Sequence, residues 1–290
     1  MYTTLVSAEE LAAGLNAPDA ASDWVVIDCR HDLAHPDAGE AAWRASRIPG
    51  ARFAHTDRDL SGRKTGANGR HPLPTREAFA DFLADAGVAD TSQIVAYDAS
   101  DGIYAARLWW LGKWIGHDAV AVLDGGLPAW QRAGLPVDVQ VPDLDAYKTT
   151  RRGLALGPSR VALVEASEVE ADLASCDRLV VDARAPERYR GDVEPLDAVA
   201  GHIPHAVNHH YKNNLDATGR FKPALQLRTE FEALLGDRAA ESIVHQCGSG
   251  VTACHNLVAM EIAGLAGSAL YAGSWSEWCS DPKRPVARGA

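Results

Sequence analysis

The stretch Cys247-Gly248-Ser249-Gly250-Val251-Thr252-Ala253 brings a thiol, a hydroxyl and two glycines together, directly after the run Ile243-Val244-His245-Gln246. Glycine reaches backbone conformations that side chains resist, so such a loop turns tightly and directs several N–H groups at one point. Where a loop of this kind also opens a helix, the partial positive charge of the helix N-terminus favours an anion there. A free thiol titrates near 8.5, and cysteines at such positions titrate between roughly 3.5 and 7.5, within reach of neutral pH. A nucleophilic sulfur ringed by amide donors is suited to accept a transferable atom and keep the adduct stable, a persulfide above all. The ordinary fate of a free cysteine is to be a small buried hydrophobe. The glycine-rich loop and the strand-to-helix position favour chemistry instead.

The elements that must position this loop occur twice. Ile94 opens IVAYDASDGIYAARLWWLG, and Ile243 opens IVHQCGSGVTACHNLVAME, an alignment without gaps in which Cys247 stands where the first copy has Asp98. Each half begins with a helix-start signal, Ser7 with Glu10 and Ser167 with Glu170, in the spacing of a capping box. Each continues with an apolar run ending in an acid, WVVID to Asp28 and LVVDAR around Asp182, and then a loop to IPGA (Ile48 to Ala51) or GHIPHAV (Gly201 to Val207). A third matched pair is AVAVLDGGLPAW, ending at Trp130, and SALYAGSWSEW, ending at Trp278. Short β-branched runs between turn residues fit buried parallel strands, and helical stretches between them imply right-handed crossovers. The expected fold is α/β, two domains in tandem, each a mainly parallel sheet with helices on both faces. The expected divisions are residues 1–136, a linker over 137–159 that loses periodicity and gains Pro, Gly and charge, and residues 160–290. In an open parallel sheet, the end of a strand just before a helix is where chemistry is exposed.

Composition narrows the partners. A chain of 290 residues with 47% hydrophobic content supports two packed cores. Net charge is −11 and the sequence pI is near 5.4, so the long-range field repels nucleic acid and anionic membrane surfaces. The first residues carry no basic region followed by an apolar core, and no apolar stretch reaches the ~18 residues of a membrane span; a soluble cytoplasmic protein is expected. Five cysteines at 29, 176, 247, 254 and 279 form no CxxC pair, which argues against a disulfide framework or a zinc knuckle. Neither a metal nor any other cofactor is expected.

The loop CGSGVTAC, the GSWSEW segment, the two IP loops and the duplicated layout together resemble the two-domain rhodanese family of sulfurtransferases, over nearly the whole chain. The resemblance implies two rhodanese-like domains in tandem, with the nucleophile in the C-terminal domain. It also implies a catalytically silent N-terminal domain, where Asp98 replaces the cysteine and is expected to cap the following helix. Loops of the CGSGVTA type resemble 3-mercaptopyruvate sulfurtransferases, whereas thiosulfate-specific members tend to carry basic residues directly after the cysteine. By the same resemblance, the Cys247 thiolate takes sulfur from a small anionic donor and passes it to cyanide, a thiol or a thioredoxin-like protein. Backbone donors of Gly248, Gly250, Val251 and Thr252 support the persulfide, and Arg188 binds the donor, which wants a guanidinium fork. Nearby Arg184 and Arg190 carry the same charge. Ser249, His71 and Asp57 match a Ser–His–Asp arrangement that protonates the departing carbon. One departure is plain: mercaptopyruvate enzymes often carry a second arginine in an EPR stretch, but here Glu194-Pro195-Leu196 stands in its place, closer to the thiosulfate-using branch.

The remaining residues have plainer expectations. Cys254 is expected to face the core, His202 and His205 to serve a loop, Trp109, Trp110 and Trp114 to form a buried helix face, and Trp275 and Trp278 to pack. A phosphatase also holds its cysteine in an amide-lined loop, but needs an arginine six residues later, where this chain has Ala253. A non-catalytic anion-binding or redox-sensing module is the other alternative.

Overall fold

The computed structural model describes residues 1–17, 23–141 and 152–289. The chain divides into two compact units, one of Met1–Gly62 with Pro74–Arg160, the other of Arg63–Leu73 with Val161–Ala290. A short segment from the first half, residues 63–73, thus packs with the second unit.

In the first unit the strands are β1 (Leu5–Val6), β2 (Trp24–Asp28), β3 (Arg52–Phe53), β4 (Gln93–Tyr97) and β5 (Val120–Leu123), in the order β1-β5-β4-β2-β3. Every pairing is parallel. The helices are α1 (Ala8–Asn16), α2 (Ala38–Ala45), α3 (Arg76–Asp85), α4 (Ile103–Trp114) and α5 (Gly126–Arg132). The second unit repeats the plan with β6 (Ala162–Val164), β7 (Leu179–Asp182), β8 (Val207–Asn208), β9 (Ile243–Gln246) and β10 (Ala269–Tyr271), in the order β6-β10-β9-β7-β8, again parallel throughout. Its helices are α6 (Ala166–Ser175), α7 (Pro186–Arg190), α8 (Ala224–Leu235), α9 (Thr252–Ile262) and α10 (Ser274–Trp278). β4 and β9 are the middle strands of their sheets and are buried along their whole length. That is why Ile94, Val95, Ala96, Ile243 and Val244 run consecutively rather than alternating with exposed residues, with Gln93, His245 and Gln246 buried beside them. Asp98 and Cys247 each follow the middle strand, at the carboxyl end of the sheet.

The cores are equivalent. In the first unit Val26, Val95 and Ala121 of the sheet pack with Leu11 of α1 and with Leu127 and Trp130 of α5. In the second, Val180, Val244 and Ala269 pack with Val169 of α6 and with Trp275 and Trp278 of α10. Trp130 and Trp278, which close the matched segments, bury their rings and donate the indole N–H to Pro136 and Pro285 carbonyls, both at 2.8 Å. Burying such a ring contributes about 2–3 kcal/mol, and an unpartnered indole N–H would cancel about 1–3 kcal/mol of that. Trp109 and Trp110 are also fully buried, and Trp114, half-buried, stacks on Trp110 with ring centroids 5.8 Å apart.

The acid ending each second strand serves the same architectural end. Arg30 forks onto Asp28 and donates to the Ser46 carbonyl at 2.6 Å; Arg184 forks onto Asp182 and donates to the Gly201 carbonyl at 2.8 Å. Each Asp-x-Arg unit thereby ties the strand end to the loop leading to the next strand.

Ser7 and Glu10 form the expected capping box, with Ser7 Oγ accepting from the Glu10 amide at 3.1 Å and the Glu10 carboxylate accepting from the Ser7 amide at 2.8 Å. The second helix start differs from the expected Ser167 with Glu170: α6 begins at Ala166 and its cap is Glu165, whose amide donates to Glu168 Oε2 at 2.8 Å. The strand β6 ends at Val164, so the extended-to-helical switch falls at Glu165, and Ser167 already lies inside the first turn. Of the stretch read as a linker, residues 142–151 lie outside the described residues. On its two sides, Asp138 exchanges backbone hydrogen bonds with Arg47, and the Gly157 and Arg160 amides donate to the carbonyls of Ile115 and Lys113. Among the described residues, no helix is long and apolar enough to cross a membrane.

Candidate active site

Cys247 leaves β9 and enters a turn that α10 holds from behind. Its amide donates to Ser274 Oγ at 3.1 Å, its carbonyl accepts from the Trp275 amide at 2.9 Å, and the Gly248 carbonyl accepts from the Ser276 amide at 3.0 Å. Gly250 has φ +77°, and a Cβ there would lie 2.3 Å from the Ala272 carbonyl oxygen. Only glycine fits that position. Val251 then caps α9, which starts at Thr252. Cys247 is 2% exposed and Ser249 6%, so the thiol sits at the base of the loop rather than on a protruding tip.

The first unit shows what a turn of this kind holds. Asp98 is buried, and its Oδ1 accepts from the Ser100 and Gly102 amides at 2.7 and 2.9 Å while its Oδ2 accepts from Tyr104 and Ala105 at 2.9 and 3.0 Å. The carboxylate thus caps α4, as expected of it. Burial pushes the Asp98 carboxyl pKa up, and the four amides oppose that shift. By the ungapped alignment these donors correspond to the amides of Ser249, Val251, Ala253 and Cys254. The last of them donates to the Val251 carbonyl at 3.1 Å. Cys247 thus occupies, in the second unit, the position at which the first unit holds a buried anion.

Ser249 Oγ lies 2.7 Å from Nδ1 of His71, and both residues are buried. This contact is internal to the second unit, because His71 belongs to the segment 63–73. Asp57 lies in the first unit, where its carboxylate is 3.9 Å from His31 Nε2 and its amide donates to His55 Nδ1 at 3.1 Å. His31, His55 and Asp57 bring their ligand-type atoms within 4.8 Å of one another. His55 Nδ1, as acceptor from an amide, leaves its ring proton on Nε2, which does not suit that nitrogen to hold a metal ion.

Of the three arginines that follow β7, the structure separates the roles. Arg184 is buried, bound to Asp182 and placed 4.8 Å over the Trp275 ring, an architectural position. Arg190 pairs with exposed Asp192. Arg188 instead reaches the cysteine loop: its Nη1 and Nη2 lie 3.5 and 3.6 Å from the point where a Cβ on Gly248 would be. It is held by Glu194 at 2.7 Å and by Asp197 at 3.4 Å, and its Nε has no hydrogen-bond partner among the described residues. Together with hydrogen bonds from the Leu196 and Asp197 amides, that contact holds the Glu194 carboxyl below the usual carboxylate range against its burial. Leu196 is 46% exposed.

The other residues singled out are structural. Cys254 is buried, with Sγ 3.2 Å from the Gly250 carbonyl. His202 stacks on Tyr189 at 3.9 Å and its Nδ1 lies 2.8 Å from that residue's carbonyl oxygen, while His205 adopts φ +65° in the loop. Trp275 is buried and donates its indole N–H to the Val199 carbonyl at 2.9 Å. All five cysteines are free thiols. Ala253, six residues after Cys247, is buried and has no charge to clamp a phosphoryl group. Two contributors carried no recognisable sequence signal of their own: Ser274, which receives the Cys247 amide, and Arg70, adjacent to His71, whose guanidinium also reaches Gly248.

The two repeated units match known proteins in sequence and fold. The family model described as Rhodanese-like domain matches residues 7–133 and 165–281. The chain is 46% identical to a probable 3-mercaptopyruvate sulfurtransferase of Pseudomonas aeruginosa over 98% of both chains. It is 38% identical to a putative thiosulfate sulfurtransferase of Mycobacterium tuberculosis, over 98% of this chain and 97% of that one. Among solved structures, a 3-mercaptopyruvate sulfurtransferase of Escherichia coli superposes with a TM-score of 0.78 at 27% identity, covering 94% of this chain and 99% of that one.

Proposed function

The chain belongs to the rhodanese-like family of sulfurtransferases, with one such domain in each half, and on that premise we propose that it moves sulfur from 3-mercaptopyruvate through a persulfide on Cys247. The observation that carries the choice of donor is the buried Ser249–His71 hydrogen bond of 2.7 Å beside the cysteine.

The Cys247 thiolate attacks the sulfur of the donor, forming an S–S bond as the donor's C–S bond breaks, and the electron pair of that bond passes to carbon as the enolate of pyruvate. An enolate is a poor leaving group unless a proton arrives. Ser249, backed by His71, delivers that proton to carbon, and the proton of the donor thiol restores the relay. The products are pyruvate and Cys247–S–S⁻. Amides of residues 248 to 253 stabilise the terminal sulfur, as those of the first unit stabilise the Asp98 carboxylate, and Arg188 binds the donor carboxylate. In the second half-reaction an acceptor thiolate, or cyanide, attacks the outer sulfur, breaks the S–S bond and regenerates the Cys247 thiolate. The acceptor is a small thiol or thioredoxin-like protein, with cyanide as the assay acceptor; no further cofactor enters these steps. The first unit, with Asp98 in place of a thiol, is catalytically silent, and the protein works in the cytoplasm.

Thiosulfate as principal donor is the second reading, favoured by Leu196 and by the relative named for that donor. Steady-state assays with both donors and cyanide decide between them. We expect kcat/KM to be at least about tenfold higher for 3-mercaptopyruvate, a bound set below the roughly 10²-fold that a general acid serving only one substrate typically contributes. Equal or reversed values would make thiosulfate the donor.

A further inference from the structure

We propose that Arg70 is the second arm of a two-guanidinium clamp for the carboxylate of the sulfur donor, the arm that Leu196 does not provide. The inference rests on the mercaptopyruvate reading and adds to it a binding residue that comes from the opposite end of the sequence.

The backbone around Arg70 is fastened to the cysteine loop on both sides. Gly69 has φ +82°, and a Cβ there would lie 2.7 Å from the Gly273 carbonyl oxygen, so this turn fits against the start of α10 only as glycine. The Arg70 amide donates to Ser276 Oγ at 3.0 Å, and the amide of the same Ser276 holds the Gly248 carbonyl. The next residue, His71, meets Ser249. Three consecutive residues thus engage the structure around the nucleophile, and Asp197 holds the Arg70 guanidinium.

Its guanidinium ends at the loop. Nη2 of Arg70 is 2.8 Å from the position of a Cβ on Gly248, and both terminal nitrogens of Arg188 lie within 3.6 Å of that same point. Two cations are therefore gathered over the residue that follows Cys247. Like charges so close repel one another, and Asp197 offsets this by pairing with both, with Nη1 of Arg70 and with Nη2 of Arg188. Asp197 is itself nearly buried, so it acts as a fixed brace that sets the spacing of the two groups. Each guanidinium still has donors beyond those the brace uses, and a planar fork matches a carboxylate. The positive charge that a thiosulfate-type loop carries in its own residues here arrives from residue 70.

The test uses the full chain with Arg70→Ala, Arg70→Lys, and Arg70→Ala combined with Leu196→Arg, assayed with 3-mercaptopyruvate against cyanide, with thermal unfolding measured in parallel. Arg70→Ala is expected to raise KM about 10- to 100-fold, the scale of one hydrogen bond to a charged group, with kcat within about threefold. Arg70→Lys, which keeps the charge but loses the fork, is expected to raise KM about three- to tenfold. Leu196→Arg is expected to recover at least about fivefold of the Arg70→Ala loss, because residue 196 adjoins Asp197, the carboxylate that pairs with both arginines. A KM within about twofold of the parent in a folded Arg70→Ala variant overturns the clamp; should that variant unfold, the KM of Arg70→Lys is judged against the same bound. The two readings fail separately. Preference of the parent chain for thiosulfate overturns the donor assignment, whereas an unchanged mercaptopyruvate KM in the Arg70 variants overturns the clamp even when the parent prefers mercaptopyruvate.

Discussion

Cys247→Ser is expected to lower sulfur transfer by at least about 10³-fold with either donor, the scale seen when a covalent nucleophile is removed. A serine hydroxyl at this site has the right shape and the wrong chemistry: it is far less nucleophilic than a thiolate toward sulfur, and no stable sulfur adduct of it can pass a sulfane atom onward. The fold should not change. The loop is held through the backbone of Cys247 and Gly248 by Ser274, Trp275 and Ser276, and the substitution exchanges a single atom of one side chain. Thermal unfolding of the variant should match the parent within about 4 °C for a chain of this size. Turnover above about one per cent of the parent in that folded variant would mean that another group accepts the sulfur.

The second large effect concerns the proton. Ser249→Ala and His71→Ala are each expected to lower kcat with 3-mercaptopyruvate by about 10²- to 10³-fold, as loss of a general acid does. The same variants should change kcat with thiosulfate less than about threefold, because sulfite departs as a stable anion and needs no proton on carbon. If Ser249 and His71 act as one relay, the double variant should be little worse than either single one. The contrast between donors separates the relay from a packing role. Loss of the buried 2.7 Å hydrogen bond costs about 1 kcal/mol of stability and would harm both donors alike if stability were the cause. Equal losses with the two donors would remove the relay from the mechanism.

The duplication made much of this legible before any coordinates. Aligning Asp98 with Cys247 placed both after a buried strand, and each does follow the middle strand of its sheet, because an apolar run buried on both faces leaves a local signature. The Ser7 cap and the glycine turn at Gly250 are likewise local, written in residues that touch one another along the chain. What was not legible depends on contacts between distant residues. Arg184 and Arg188 are equally basic in sequence, and only the packing of Trp275 and Asp182 around the first leaves the second for the loop. Arg70 stands beside His71, but nothing in GRHPLP says that its guanidinium turns toward Gly248; its backbone is held by Ser276 and its guanidinium by Asp197, both far along the chain. The start of α6 was misplaced by two residues because Ser167 and Glu170 have the spacing of a cap, while the end of β6 at Val164 decides where the helix begins.

The chemistry stands on one covalent intermediate, and it can be weighed directly. The parent chain is mixed with 3-mercaptopyruvate in the absence of any acceptor, quenched, and the peptides bearing its five cysteines are compared by mass. The expected result is one additional sulfur on the Cys247 peptide, in proportion to pyruvate released in the first turnover, and its loss on addition of cyanide. Pyruvate formed with no sulfur retained on Cys247, or with the sulfur on Cys254 or another cysteine, would contradict the account.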